Sequence, residues 1–164
     1  MSGLDLENTL YLDLKDGRVV IRLRPDLAPN HVARIKELTR EGFYDGLVFH
    51  RVIDGFMAQT GDPQGNGTGG SGKKLKAEFS NERHVRGTLS MARAANPDSG
   101  DSQFFIMFDD APHLDRQYSI WGEVVEGMDF VDNIKKGDAR RNGAVSDPDR
   151  IVRMRVAADV EGKE

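Results

Sequence analysis

The hydrophobic period along this chain is two in about eight short stretches and helical in two. Thr9–Leu14 sets Leu10, Leu12 and Leu14 on one side, which predicts a half-buried strand. Asp16-Gly17 is a tight-turn signal, so Arg18–Arg24 is expected to return as the second arm of a hairpin. Pro29 suits the first turn of a helix. Val32, Ile35 and Leu38 follow at helical spacing, and Gly42 suits the stop. Strand-like runs recur at Leu47–Ile53, Phe56–Gly61, Gly87–Arg93, Gln103–Phe108 and Ser119–Val125. A second helix is expected over Met128–Lys136, closed by Gly137. A last strand is expected near Ile151–Asp159, where Val152, Met154 and Val156 alternate with Arg153 and Arg155. Turns, not regular crossover helices, separate the strands. The pattern therefore predicts a mainly β fold: an eight-stranded antiparallel sheet closed into a barrel, which removes exposed edges, with two helices as covers.

Composition narrows this picture. At 164 residues the chain is expected to form one domain over residues 1–164, with 38% hydrophobic and 30% charged residues. No apolar run approaches the ~20 residues that span a membrane. The stretch MSGLDLENTLYLDLKDG is acidic and broken by charges, so it reads as neither a signal nor a transit peptide. There is no cysteine, which excludes disulfides, thiolate zinc sites and cysteine nucleophiles. The net charge of −4 is spread along the chain, so neither nucleic acid nor an anionic membrane is an expected partner.

One motif points to phosphate. In GTGGSGKK, Gly67, Gly72 and Lys73 match the spacing of a P-loop. A P-loop follows a buried strand and opens a helix, and its last position offers a hydroxyl to magnesium. Here loop residues precede it, no helical stripe follows, and that last position is Lys74. The stretch reads instead as a surface loop that needs several positive-φ positions.

The chemistry-bearing segment lies just upstream. FHRVIDGFMAQTGD, Phe49–Asp62, reads as strand, turn at Asp54-Gly55, then strand. Arg51, Phe56, Met57 and Gln59 can share a face across that hairpin. A cation, an amide and two large apolar groups suit a shallow site for an uncharged polar ligand. A lone strand arginine is more often a solvated surface group. A simple strand buries only one of the consecutive Phe56 and Met57. Ser102–Phe108 is a nearly continuous apolar strand that all-core packing would explain. Ala111–Gly122 brings Leu114 and Tyr118 into a loop before a strand.

Together these segments resemble a cyclophilin-type peptidyl-prolyl cis–trans isomerase. FHRVIDGFMAQTGD is similar to the signature of that family; GNGTGG, LSMARA, SQFFI and Leu114–Gly122 follow in the family order, from about Thr9 to Val160. The resemblance implies rotation about Xaa–Pro bonds of unfolded or partly folded proteins, without metal or cofactor. It implies that Arg51 hydrogen-bonds the prolyl nitrogen, that Phe56, Met57, Phe105 and Leu114 line a proline pocket, and that Tyr118 lies at its edge. Gln59 would hold a substrate carbonyl, the Ala92–Arg93–Ala94 edge would pair with the peptide backbone, and Gly67 would border the groove. The lack of cysteine and the compact loops resemble bacterial cytoplasmic members, and a monomer is expected.

Some positions depart from the familiar pattern. His113 stands where many eukaryotic members carry a tryptophan that contacts cyclosporin, so weak cyclosporin binding is expected. Tyr118 replaces their histidine, Asp54 a turn proline, and Arg116 a glycine; the Arg93–Gly100 loop is one residue longer. Trp121 reads as core. The alternative is a non-catalytic binder of proline peptides. A metal or hydrolytic enzyme is disfavoured, because His31, His50, His84 and His113 lack ligand spacing, Ser102 is not in a nucleophile elbow, and Asp109-Asp110 reads as solvated surface.

Overall fold

The turn at Asp16-Gly17 forms where the sequence places it, joining β1 (Thr9–Leu14) to β2 (Gly17–Leu23) in register. This computed structural model describes residues 5–161; residues 1–4 and 162–164, which include the start of the N-terminal stretch considered above, lie outside them. Helix α1 (Pro29–Arg40) starts at its proline, and Gly42 beyond its end has φ 76°. Its first amides lack a side-chain cap of their own. The Glu78 carboxylate takes that place, accepting from Asn30 N at 3.1 Å and His31 N at 2.8 Å. The buried face of α1, with Val32, Ile35 and Leu38, joins the main core.

The remaining strands are β3 (Arg51–Ile53), β4 (Met57–Thr60), β5 (Thr88–Met91), β6 (Phe104–Met107), β7 (Ile120–Glu126) and β8 (Arg153–Val156). All eight form one antiparallel sheet in the order β3-β4-β6-β5-β7-β2-β1-β8. The expected full closure is the part that differs. The ladder ends at β3 and β8, and the sheet is a curled half-barrel whose ends meet, among the described residues, through one bridge, Val48 with Arg150. That also explains why Leu47–Ile53 is strand only from Arg51. Its backbone partners come from two separate stretches: Phe49 N donates to Asp149 O at 2.9 Å, and Val52 N to Gly143 O at 2.9 Å. No continuous ladder can form.

Two other ends are shorter than expected. Helix α2 (Met128–Asp132) stops early because the Lys135 amide donates to the Asp149 carboxylate at 2.8 Å and not to a helical carbonyl. After β8 the chain turns into α3 (Ala157–Glu161), where Tyr11 donates to Glu161 at 2.8 Å. Met154 and Val156 are buried as the alternation predicts; Val152, ahead of the ladder, is exposed. Trp121, Tyr44, Phe49 and Phe104 fill the core, so the reading of Trp121 as core holds.

Candidate active site

Strand geometry sorts the site from the core. Along β3, β4 and β6 the even-numbered Val52, Ala58, Phe104 and Ile106 point into the barrel core, while Ile53, Met57, Phe105 and Met107 form a second apolar cluster on the other face. The apolar run Ser102–Phe108 is therefore two surfaces interleaved and not one core strand. Register completes the arrangement. Arg51 lies opposite Gln59, Gln59 opposite Phe105, and Phe105 opposite Ser90, a row across β3, β4, β6 and β5.

Above this row is a cavity of about 360 Å³. Met57, Phe105 and Leu114 are its buried floor, and Phe56, Ala92 and Tyr118 pack around them. Phe56 precedes β4, which is how it joins Met57 in one pocket despite being its neighbour. The Tyr118 ring stands edge-on to Phe105 at 5.5 Å. His113 completes the wall, its ring tilted against Phe56 at 5.7 Å. A single 3-10 turn over Pro112–Leu114 delivers His113 and Leu114. Arg116 just beyond has φ 64°, in keeping with a position that glycine often holds.

The polar side of the cavity is a chain of side chains. Arg51 donates Nη1–H to Gln59 Oε1 at 3.1 Å, Nε–H to Asn142 O at 3.0 Å and Nη2–H to Asn142 Oδ1 at 3.1 Å. Gln59 donates to Gln103 Oε1 at 3.0 Å, and Gln103 to Gly69 O at 2.9 Å. A guanidinium has five N–H groups. Three are taken among the described residues, and one on each of Nη1 and Nη2 stays free. Burial lowers the Arg51 pKa from its ordinary value, with Tyr118 opposing, yet the group remains cationic at neutral pH.

A second cavity of about 320 Å³ adjoins the first through Gln59, Ala92 and Arg93. Gly67, Thr68, Gly69 and Gly70 line one side of it, with Ser99, Asp101 and Gln103. Two carboxylates hold these turns. Asp62, 1% exposed, accepts from Gln64 N at 2.8 Å, Asn66 N at 3.0 Å and Gly67 N at 2.6 Å. Burial alone would raise its pKa, but the amides outweigh it and hold the carboxyl below its ordinary value. Asp101 accepts from Ser71 N at 2.7 Å and Gly72 N at 3.1 Å. The amides of the P-loop-like stretch thus already face side chains of the protein. Gly65, Gly67 and Gly72 have positive φ, as a surface loop requires.

The structure brings Arg51, Phe56, Met57, Gln59, Ala92, Arg93, Phe105, Leu114 and Tyr118 around the first cavity, and Gly67 and Ala94 around the second. Along Ala92–Ala94, Ala92 N donates to Gln103 O at 2.9 Å and Ala94 N to Ser99 Oγ at 2.9 Å, while the Arg93 amide has no partner among the described residues. The Arg93 side chain folds back, donating to Gln117 O at 2.7 Å with its guanidinium 4.8 Å from the Tyr118 ring. Sequence reasoning missed Gln103 and Asn142. Both sit outside the recognised hairpin, and neither residue type announces a role alone. It also missed His84, which is buried under the pocket. Its ring stacks on Phe105 at 6.2 Å, and Nε2 lies 3.0 Å from Ser90 Oγ.

Known proteins share this sequence pattern and this fold. Residues 9–156 match the family model described as cyclophilin type peptidyl-prolyl cis-trans isomerase/CLD. A probable peptidyl-prolyl cis-trans isomerase of Brucella suis is 58% identical over 98% of this chain and 88% of its own. Peptidyl-prolyl cis-trans isomerase B of Bacillus subtilis is 45% identical over 81% of this chain and 94% of its own. Among solved structures, a cyclophilin from Hirschia baltica superposes with a TM-score of 0.87 at 30% identity, over 98% of this chain and 78% of its own. A cyclophilin-type isomerase of Cryptosporidium parvum, crystallised in the presence of the dipeptide Ala-Pro, gives 0.81 at 28% identity, over 90% of this chain and 98% of its own.

Proposed function

Because the chain belongs to the cyclophilin-type peptidyl-prolyl cis–trans isomerases, we propose that it turns Xaa–Pro bonds by binding the proline ring over Phe105 and offering Arg51 to the prolyl nitrogen. The barrier to be lowered is ~18–20 kcal/mol, because amide resonance resists twisting. Uncatalysed exchange takes tens to hundreds of seconds. A turnover of ~10–10³ s⁻¹ requires roughly 4–7 kcal/mol, at 1.36 kcal/mol per factor of ten. No covalent bond breaks, so no nucleophile is needed. In the twisted amide the prolyl nitrogen regains a lone pair, and a free Arg51 N–H can donate to it. A charged hydrogen bond contributes ~1.5–3 kcal/mol. The apolar floor of Met57, Phe105 and Leu114 supplies part of the remainder, since a twisted amide is less polar than a planar one and enters it more readily.

The observation that carries this reading is the free edge of the Arg51 guanidinium beside the apolar cavity. The second N–H of Gln59 suits a substrate carbonyl, and the Arg93 amide suits the peptide backbone. Unfolded or partly folded chains that expose proline are the substrates that suit so shallow a groove, and folding assistance by a monomer is the role proposed with them. His113, in place of a flat indole donor, supports weak cyclosporin binding; nanomolar inhibition of this protein would contradict it. The test is the cis-to-trans relaxation of a short Xaa–Pro peptide with sub-stoichiometric protein. Acceleration proportional to protein, falling about 10- to 100-fold in Arg51→Ala, is expected. An unchanged rate in that variant would overturn the mechanism.

A further inference from the structure

Asn142 takes two of the three Arg51 N–H groups that are engaged. Its backbone carbonyl accepts from Nε, and its side-chain Oδ1 accepts from Nη2, at 3.0 and 3.1 Å. One contact fixes a distance, whereas two contacts from one residue fix the tilt of a rigid plane. Gln59 pins the third N–H from the neighbouring strand. An arginine without these holds would sample many rotamers, few of them competent.

The grip depends on the backbone. Asn142 has φ 58° and ψ 34°, the left-handed region, which places its carbonyl and its side-chain oxygen on the same guanidinium. Asparagine tolerates this region better than most residues with a side chain. The loop around it is fixed to β3: Gly137 N donates to Val52 O at 2.8 Å, Val52 N to Gly143 O at 2.9 Å, and Ala144 bridges Arg51. A side chain at Gly137 would overlap the Gly143 carbonyl, and one at Gly143 would lie 2.6 Å from Ile53. Asn142 is thus a fixed part of the site, 91 residues along the chain from Arg51.

We propose that Asn142 is a positioning residue for Arg51, setting the plane in which the free N–H groups meet the prolyl nitrogen. The inference rests on the role proposed above for Arg51. A neutral anchor suits the task, because a carboxylate would hold the guanidinium but offset the charge needed at the twisted amide.

The test compares kcat and KM for Asn142→Gly, Asn142→Asp, Arg51→Ala and Arg51→Ala/Asn142→Gly on a short Xaa–Pro peptide. Glycine keeps the left-handed backbone and the carbonyl and removes only Oδ1. We expect kcat to fall about tenfold in Asn142→Gly, the worth of one charge-assisted hydrogen bond, with KM within about twofold. Asn142→Asp should keep the plane but recover only part of that loss, because its charge offsets that of the guanidinium. In the Arg51→Ala background Asn142→Gly should change nothing further. Unchanged kcat in Asn142→Gly, with Arg51→Ala impaired, would overturn the positioning role alone. So would an equal loss in both backgrounds, which would mark a general structural effect. An unimpaired Arg51→Ala would instead remove the reading on which the inference stands.

Discussion

The proline cavity and the glycine-lined cavity beside it share Gln59, Ala92 and Arg93, yet they are built from opposite materials. The first is floored by apolar side chains, Met57 and Phe105 on packed strands and Leu114 on the turn after Pro112. The second is lined largely by the small and polar residues of turns that two carboxylates hold in place. The difference teaches where each kind of specificity resides. A side-chain pocket reads the shape and polarity of one ring. A groove made of turns accommodates many sequences, and its shape depends on carboxylate–amide bonds within its own loops.

The comparison predicts that damage to the two cavities separates cleanly. Phe105→Ala should have the largest effect, removing the floor of the proline pocket and destabilising the fold by about 3 kcal/mol, the low end for a buried phenylalanine on an open pocket. kcat/KM should fall with it, in chemical denaturation and peptide kinetics on the same sample. Retained kcat/KM would show that the ring is not the proline platform. Asp62→Asn should cost about 2 kcal/mol, because an amide NH₂ then faces backbone donors. Its kcat on a short peptide should stay within about twofold, since Asp62 serves only the neighbouring groove. A parallel loss of kcat would merge the two cavities into one unit.

Acid should probe both cavities. Burial lowers the pKa of His84 below its ordinary 6.5, against the pull of Asp115. His50, beside Gly67, is lowered by burial as well. A histidine depressed in the folded state adds stability above its unfolded pKa, and that stability is lost as the pH falls from about 6.5 through the folded value. Asp62, also depressed, loses its contribution at lower pH, below its ordinary 3.8. Denaturation midpoints should therefore decline in two steps on acidification. His84→Gln should shrink the first step and Asp62→Asn the second; a first step unchanged in His84→Gln would refute the neutral, buried His84. The smallest effect is expected of Gly67→Ala, about 1 kcal/mol for a methyl at φ 93°. Space is not the obstacle, since the nearest atom, His50 Nε2, would lie 3.7 Å away.

The two cavities also differ in how far the sequence reveals them. Arg51, Gln59, Met57 and the turn between them are a local hairpin, and period-two alternation is a local signal. Phe105 was harder, because a strand apolar on both faces has no polar side to mark the second surface. Helix α1 was legible from Pro29 to Gly42, but its cap was not, since Glu78 is a tertiary partner. Gln103 and Asn142 were invisible for the same reason. Asn142 reaches Arg51 only because the loop over Gly137–Ala144 docks on β3. The shortened strand before Arg51 and the incomplete closure likewise follow from partners distant in sequence.

If Arg51 acts on the twisted amide while the apolar floor holds the proline, turnover and binding are separable. Two-dimensional exchange NMR of a proline peptide, read together with its Kd, tests this directly in the wild-type and Arg51→Ala proteins. The bound cis–trans exchange rate should fall about 10- to 100-fold in the variant while Kd stays within about threefold. A Kd that weakens by the same factor as the exchange rate would contradict it and make Arg51 a binding residue.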